Sequence, residues 1–371
     1  MTDARGVRIA CITTRENVGS PSGSWLSLER LCRRVALAGH HIDVVAHPEA
    51  PPQGPGGPTQ VAARLRASCA AFAATLDRRW RAERPDVVHV ELAGNVGMAA
   101  RDAARRLGLP VSSTFHHMHL YAPAAQRSRM ERLLAGFHAG CDVTVAESRS
   151  SRAVLRGMGG PEAVVILRGV DMGLFRPGCR EDQRRAAWGV GTSGIAVLWA
   201  GRMVATKGLD LLADAAAILH HERPEVRLVL AGDGDQRSML AAALPWAVHL
   251  GQVRPAEMPS VLASADILAC TSPDEPWGNI LLEAAASGLA IVARSGGAME
   301  EVLLPAASCV APAPQTAPSF AAALIRLVDD AQERSRLAAA AQAAAAGASM
   351  QVCAQRWIAL WDRLSRRGRP S

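Results

Sequence analysis

Long apolar runs are missing from this chain of 371 residues. No stretch of eighteen or more uncharged apolar residues occurs, which excludes a membrane-spanning helix on length. Residues 1–6 are polar where a secretory signal would carry an apolar core, so no export is expected and the expected location is the cytoplasm. Cysteine pairs of the C-x-x-C type are absent as well. The eight cysteines (11, 32, 69, 141, 179, 270, 309 and 353) are scattered, several inside apolar strand or helix patterns, which points to buried free thiols rather than disulfides or zinc. Aromatic residues make up 4% of the chain, Tyr121 is the only tyrosine, and the basic residues are dispersed, so a nucleic-acid surface is not expected. Apart from an alanine tract near the C-terminus there is no low-complexity segment and no internal repeat.

The length suits two domains, each large enough to bury a core. The formal charge of +7 favours anionic partners without choosing among nucleic acid, anionic lipid and nucleotide-sugars. Along the first half, short apolar runs alternate with helical periods: strands at 7–13 (VRIACIT), 42–46, 85–92 (PDVVHVEL), 110–115, 141–148 and 163–167, with helices between them. This alternation predicts a parallel, doubly wound α/β sheet. The loop NVGSPSGS after the first strand carries Gly19 and Gly23, where a ligand can approach the backbone; a plain tight turn explains them equally well. The helix predicted over 59–84 is rich in arginine, and its default reading is a solvated face, with docking on anionic lipid as the alternative. His116, His117 and His119 follow the strand at 110–115, at the end where open parallel sheets bind ligands. A metal reading is set aside, because no acidic or cysteine ligand accompanies them and successive strand residues face opposite ways.

The second half repeats the alternation, with strands at 195–200, 226–231, 248–253, 266–271 and 290–293. GRMVATKG follows the first of these, and its Arg202 and Lys207 can clamp a diphosphate, the arginine through its planar fork and the lysine as a compact charge. The bland alternative is a surface ion pair. Farther on, SPDEPWGNILLEAAASG (272–288) reads as loop, then helix, with Gly278 and Asn279 opening the helix and Gly288 closing it. Glu275 sits in that loop and Glu283 just over one turn into the helix, while the amides of Gly278, Asn279 and Ile280 add a helix-terminal anion site. Ordinary helix capping beside a core face is the competing reading. Asp233-Gly234-Asp235 matches a metal-binding D-x-D only superficially and is read as turn and capping chemistry. Gly296 and Gly297 again permit close backbone approach.

Glu275 and Glu283, with seven residues between them and an apolar helix and Ser-Gly behind, resemble the E-x7-E signature of retaining glycosyltransferases of the GT-B fold, family four. G-R-x4-K-G at 201–208 fits the same family upstream, in the right order, and the resemblance extends over nearly the whole chain. It implies two doubly wound Rossmann-like domains facing a cleft. The acceptor-side domain is expected over 1–170, the nucleotide-sugar domain over 171–345, and a terminal helix over 346–371 that crosses back to the first domain and ends in a disordered tail. The implied activity is transfer of a hexose from a UDP- or GDP-sugar to a hydroxyl acceptor, a small molecule, natural product or lipid, with retained configuration. No metal and no other cofactor is implied, and in relatives the leaving phosphate is thought to assist deprotonation of the acceptor.

The resemblance also assigns residues. His116 matches the family's single histidine near the transferred sugar and stands with Arg202, Lys207 and Glu275 as the catalytic set. Donor binding falls to Gly23, Gly201, Arg202, Lys207, Val253, Arg254, Glu275, Trp277, Gly278, Asn279, Ile280 and Glu283. Within this set Glu283 holds the ribose hydroxyls, Glu275 the sugar hydroxyls, and Val253 and Arg254 edge the nucleobase. Gly23 matches one of two usual glycines, with Ser22 in place of the other. Arg168 replaces the asparagine of the usual Asn-Gly-Val-Asp, as in a branch that includes mannosyl- and sulfoquinovosyl-type lipid enzymes, so peripheral membrane contact is kept as an expectation. Two other classes compete. An epimerase of similar fold calls for further acid/base carboxylates that are not found, and a non-catalytic nucleotide-sugar binder fits poorly with both acids and both cations being present.

Overall fold

In this computed structural model the described residues are 6–14, 18, 23–47, 58–117, 119, 123–191, 193–273, 278–296, 299–303 and 307–367. The chain divides into two compact units, Met1–Leu167 with Gln351–Ser371, and Arg168–Met350. Both are α/β units with a parallel sheet.

The first unit runs β1 (Arg8–Thr13), α1 (Gly23–Leu37), β2 (His41–Ala46), α2 (Pro58–Ala82), β3 (Val87–Val90), α3 (Asn95–Arg106), β4 (Val111–Phe115), α4 (Ala124–Ala139), β5 (Val143–Ala146), α5 (Arg149–Gly157) and β6 (Ala163–Val165). Its six strands are parallel in the order β2-β1-β3-β4-β5-β6. The chain builds outward from β1 in one direction and then from β3 in the other, which puts the topological switch point between β1 and β3. One face of the sheet packs Ala10, Ile12, Val88, Val90, Val111 and Phe115 against apolar side chains of α2, α3, α4 and α5. Such all-round burial of β3 and β4 is what a central parallel strand requires, since helices cover both faces. Yet β4 reads VSSTF, and its buried Ser112, Ser113 and Thr114 all find side-chain partners.

The second unit runs α6 (Asp182–Ala187), β7 (Ala196–Ala200), α7 (Leu209–Glu222), β8 (Arg227–Ala231), α8 (Arg237–Ala243), β9 (Val248–Gly251), α9 (Met258–Ala263), β10 (Ile267–Cys270), α10 (Asn279–Ala286), β11 (Ala290–Ala293), α11 (Ala317–Asp329) and α12 (Ala331–Gly347). Strand order is β11-β10-β7-β8-β9, all parallel, with the switch point between β7 and β10. Alternate residues feed two cores. Leu198, Ala200, Val229, Leu268, Cys270 and Ile291 pack with α9, α10 and α12, while Val197, Trp199, Leu228, Leu230, Ala269 and Val292 pack with α7 and α11. The two-faced burial explains why these strands read as continuous apolar runs.

The last helix, α13 (Met350–Arg367), returns to the first unit. Its Trp361 indole N–H donates to Ser112 Oγ at 3.2 Å, and the rings of Trp357 and Trp361 lie edge-on to His89 with centroids 4.8 and 5.6 Å away. Several bounds differ from the sequence reading. The alanine tract falls within α12 as read, and Asp330, between α11 and α12, leaves the helical region and caps α12 by accepting from the Glu333 amide at 2.8 Å. The strand read over 248–253 ends at Gly251, which turns at φ +66. Six-residue α6 carries too short a period to be seen in sequence, and a π-helical turn at Met299–Leu303 has no simple sequence signal. Residues 48–57, and residues 368–371 of the tail, lie outside the described residues. Among those described, no helix is long and apolar enough to cross a membrane.

Candidate functional site

In open parallel sheets, ligands bind beyond the carboxyl ends of the strands, at the switch point. In the second unit that position is bordered by the segments leaving β7, β8 and β10. A small pocket there is lined by Trp199, Ala200, Lys207, Cys270, Ser272 and Ile280. Gly201 continues the β7 ladder through its amide, bonded to the Ala231 carbonyl at 3.0 Å. The chain then folds back: Met203 N–H donates to the Asp233 carbonyl at 2.8 Å, and Gln236 N–H to the Met203 carbonyl at 2.9 Å. Two glycines make this approach feasible. A Cβ on Gly232 would lie 1.8 Å from the Gly201 oxygen, and one on Gly234 would lie 2.4 Å from the Met203 oxygen. The Asp233 carboxylate is spent on this turn, accepting from the Gly234 amide at 2.8 Å and pairing with Arg237 at 3.3 Å.

Lys207 closes a 3-10 turn, Ala205–Lys207, and Gly208 follows in the left-handed region, φ +64. A Cβ on Gly208 would stand 2.2 Å from the Thr271 carbonyl oxygen. Thr271 Oγ1 donates to the Lys207 carbonyl at 3.0 Å, so the segment carrying the lysine is pinned to the exit of β10. Thr271 was not legible as a site residue; a threonine after an apolar strand carries no signal of its own. The Arg202 side chain is exposed and makes no ion pair or hydrogen bond with another described residue, which removes a surface ion pair among them as the reason for its charge.

Beyond β10, Gly278 stands at the N-cap of α10 in the left-handed region, φ +56, and no side chain caps the helix. No preceding turn of helix stands to satisfy the first-turn amides of α10, and the positive end of the helix dipole lies behind them. Glu283 follows on α10 and is half-buried. Glu275 and Trp277 lie outside the described residues. Val253 packs partly buried against the second unit's core, while Arg254 pairs with Glu257 at 2.7 Å in solvent, as its next-turn neighbour. Ordinary surface pairing accounts for the Arg254 side chain as it stands here.

In the first unit Gly23 is the first residue of α1. The corresponding sheet edge carries a different arrangement. Glu91, His116 and Glu147 each come directly after one of three adjacent strands, β3, β4 and β5. His116 Nε2 lies 3.2 Å from Glu91 Oε1 and His116 Nδ1 lies 3.3 Å from Glu147 Oε2, all three residues being at most 8% exposed. Burial works against the charged imidazole, but the Glu147 charge and hydrogen bond, together with Glu91, prevail and push its pKa up to about 9. Burial likewise opposes the Glu91 carboxylate, and the hydrogen bonds from His116 and His89 outweigh it, holding that carboxyl well below the usual range. The neighbouring histidines behave oppositely. Burial, aided by the charges of His119 and His116, pulls His117 down to about 4, and burial pulls His138 down to about 3. His117 Nε2 faces Ser151 Oγ at 2.9 Å, away from the carboxylates. Among the described residues no three His, Cys, Asp or Glu side chains are grouped so as to hold a metal ion. Sequence reading missed Glu91 and Glu147; the only available signal was an acid closing each apolar run, in HVE and VAE.

Comparisons with known proteins identify the family and the fold. The family model described as glycosyl transferases group 1 matches residues 194–330, and that described as glycosyltransferase family 4 matches residues 21–174. A GDP-mannose-dependent alpha-mannosyltransferase of Mycobacterium tuberculosis is 30% identical over 233 residues, 62% of this chain and 60% of that protein. The chain spans 54% to 60% of the length of the three mannosyltransferases it matches. D-inositol 3-phosphate glycosyltransferase 1 of Catenulispora acidiphila is 30% identical over 318 residues, 77% of this chain and 74% of that protein. Among solved structures, HepE of Anabaena in complex with UDP and glucose superposes with a TM-score of 0.75 at 19% identity, over 96% of this chain and 99% of that one. Sucrose-phosphate synthase of Thermosynechococcus elongatus gives 0.77 at 18% identity, over 97% and 100%. Two parallel-sheet units, matched by both family models and by a relative over 74% of its length, mean that the chain belongs to glycosyltransferase family 4 and has the GT-B fold.

Proposed function

We propose that this protein transfers a hexose from a nucleoside-diphosphate donor to a hydroxyl acceptor, retaining the anomeric configuration and using no divalent metal. The observation that carries the proposal is the switch point of the second unit. There the Arg202 and Lys207 cations and the N-terminus of α10 gather positive potential, the lysine's segment being pinned by Thr271. Arg202 and Lys207 clamp the diphosphate, and the amides of Gly278, Asn279 and Ile280 take the remaining phosphate oxygens. Glu283 binds the ribose hydroxyls, Glu275 the hydroxyls of the transferred sugar, and Val253 borders the base. As the glycosidic bond breaks, charge accumulates on the departing diphosphate. Contacts that strengthen with that charge accelerate the reaction, and preorganised cations and amides supply them without a metal. The acceptor hydroxyl then loses its proton to the leaving phosphate on the same face, so no strong protein base is required there.

The donor class rests on relatives. The mannosyltransferases are named for GDP-mannose, and HepE was solved with UDP and with UDP-glucose. A thermal-shift panel of GDP-mannose, UDP-glucose and ADP-glucose, each with and without a chelator, tests both donor and metal. Bound ligand raises the melting temperature by mass action. One of the three is expected to raise it equally in chelator, whereas a shift that needs added magnesium or manganese refutes metal-free binding.

A further inference from the structure

The carboxylate–imidazole row at the first unit's sheet edge has no role in the scheme above, although the family resemblance sets His116 near the transferred sugar. Its wiring is continuous. The Trp361 indole N–H donates to Ser112 Oγ, Ser112 Oγ lies 3.0 Å from His89 Nδ1, and His89 Nε2 lies 3.3 Å from Glu91 Oε2. Because Glu91 carries the charge, His89 Nε2–H donates to it, and His89 Nδ1 then accepts from the Ser112 hydroxyl. The other Glu91 oxygen faces His116 Nε2, and His116 Nδ1 faces Glu147. An imidazole with one ring nitrogen protonated can donate to only one carboxylate, and its bare nitrogen would meet the other lone pair to lone pair. Two buried carboxylates on opposite ring nitrogens are satisfied together only when both nitrogens carry a proton. A buried pair of acids with no cation between them would be costly.

We propose that Glu91 and Glu147 are positioning residues for His116, holding it between them with a carboxylate facing each ring nitrogen, so that it stands at the end of β4 as a fixed cation and not as a base. This rests on the reading that His116 belongs to the transfer site. Burying three ionic groups in one row at three strand ends fixes the ring orientation as well as its charge, and the hydrogen bonds through His89 and Ser112 brace it against α13. The other titratable groups facing the row leave that charge in place. Cys11 in β1 and Cys32 in α1 lie near Glu91, and burial pushes both thiols up, the second to about 12. His117 and His138 are kept from protonating by burial. His119, with Arg127 and Glu131 around it, is pulled down by its own burial.

The test is nitrogen-detected NMR of the histidine rings in the full chain between pH 6 and 10. Both His116 nitrogens are expected to show the protonated signature at pH 8, above the ordinary histidine midpoint of about 6.5. Glu91→Gln and Glu147→Gln are each expected to weaken His116 proton affinity tenfold or more, with folding checked by circular dichroism. Should one variant fail to fold, the native titration and the other variant still decide. A native His116 with one bare ring nitrogen at pH 7.5, or a midpoint unmoved in a folded Gln variant, overturns the proposal. His116→Gln assayed for GDP-mannose and UDP-glucose turnover addresses the parent reading separately. Normal rates there remove His116 from the transfer site, whatever its charge.

Discussion

The two sheets end differently at their carboxyl edges, although both are parallel and built by the same alternation of strand and helix. The first unit closes its edge with side chains of opposite sign: Glu91, His116 and Glu147 are buried and lie at ion-pair distances of 3.2 and 3.3 Å. The second unit's edge carries no such buried ionic row among the described residues. Backbone glycines crowd the turns so that Arg202 and Lys207 stand beyond β7, and α10 opens on Gly278 with no side-chain cap among the described residues. A buried ionic row fixes charge and ring orientation within its own unit. A cationic turn beside a helix N-terminus draws an anion. One fold thus serves two purposes according to which side chains stand at its strand ends.

Breaking the open edge is expected to have the largest effect. Arg202→Ala or Lys207→Ala removes a charge-assisted contact worth roughly 2 to 4 kcal/mol in the transition state, or on the order of a hundredfold to a thousandfold in turnover at saturating donor. Arg202→Lys is expected to suffer too, since an ammonium cannot reproduce the planar fork. If both alanine variants turn over at near-native rates, the diphosphate clamp is wrongly assigned. Glu283→Ala comes next. A hydrogen bond to a charged group is worth about 1.5 to 3 kcal/mol, so nucleoside-diphosphate affinity measured by calorimetry should drop roughly tenfold to a hundredfold. Unchanged affinity removes Glu283 from the ribose.

The turn that presents Arg202 offers a sharper probe. Gly232 has φ +150, and a Cβ there would overlap the Gly201 carbonyl oxygen. Gly232→Ala should therefore cost about 1 to 3 kcal/mol of local strain and raise the nucleotide dissociation constant, with the first unit's core unaffected. A variant with native melting temperature and native affinity would show that the interlocked turns are not needed to present the cation.

The closed edge responds to pH. His116 has its pKa raised in the folded state to about 9 from an ordinary 6.5, so its stabilisation is fully present below about 6.5 and is lost as pH rises toward 9. His117 and His138 are depressed, to about 4 and about 3, so the unfolded chain binds their protons first and stability falls again as pH drops below 6.5. A melting-temperature maximum near pH 6.5 is expected, with the alkaline slope reduced in Glu91→Gln and the acid slope kept. An identical alkaline slope in native and variant protein contradicts the assignment to His116.

The sequence by itself determined what rests on neighbouring residues. Apolar periodicity gave the alternating strands and helices, because each element buries its own faces. The cationic turn 201–208 and the helix start at Gly278 were equally legible, since glycine conformation, capping and charge act within a few residues. Val253 and Arg254 were read from a strand that ends earlier, and strand ends are set by pairing with a neighbour that local sequence does not name. Only the tertiary structure decided that Glu91, His116 and Glu147 form one row. They are separated by 25 and 31 residues, and it is the order β3-β4-β5 that aligns their strand ends. It also supplied the contact that ties α13 to the first unit, an indole N–H meeting Ser112 some 249 residues away. Contacts of that range are paid for in loop entropy and repaid by packing of the whole sheet, so no single stretch of chain encodes them.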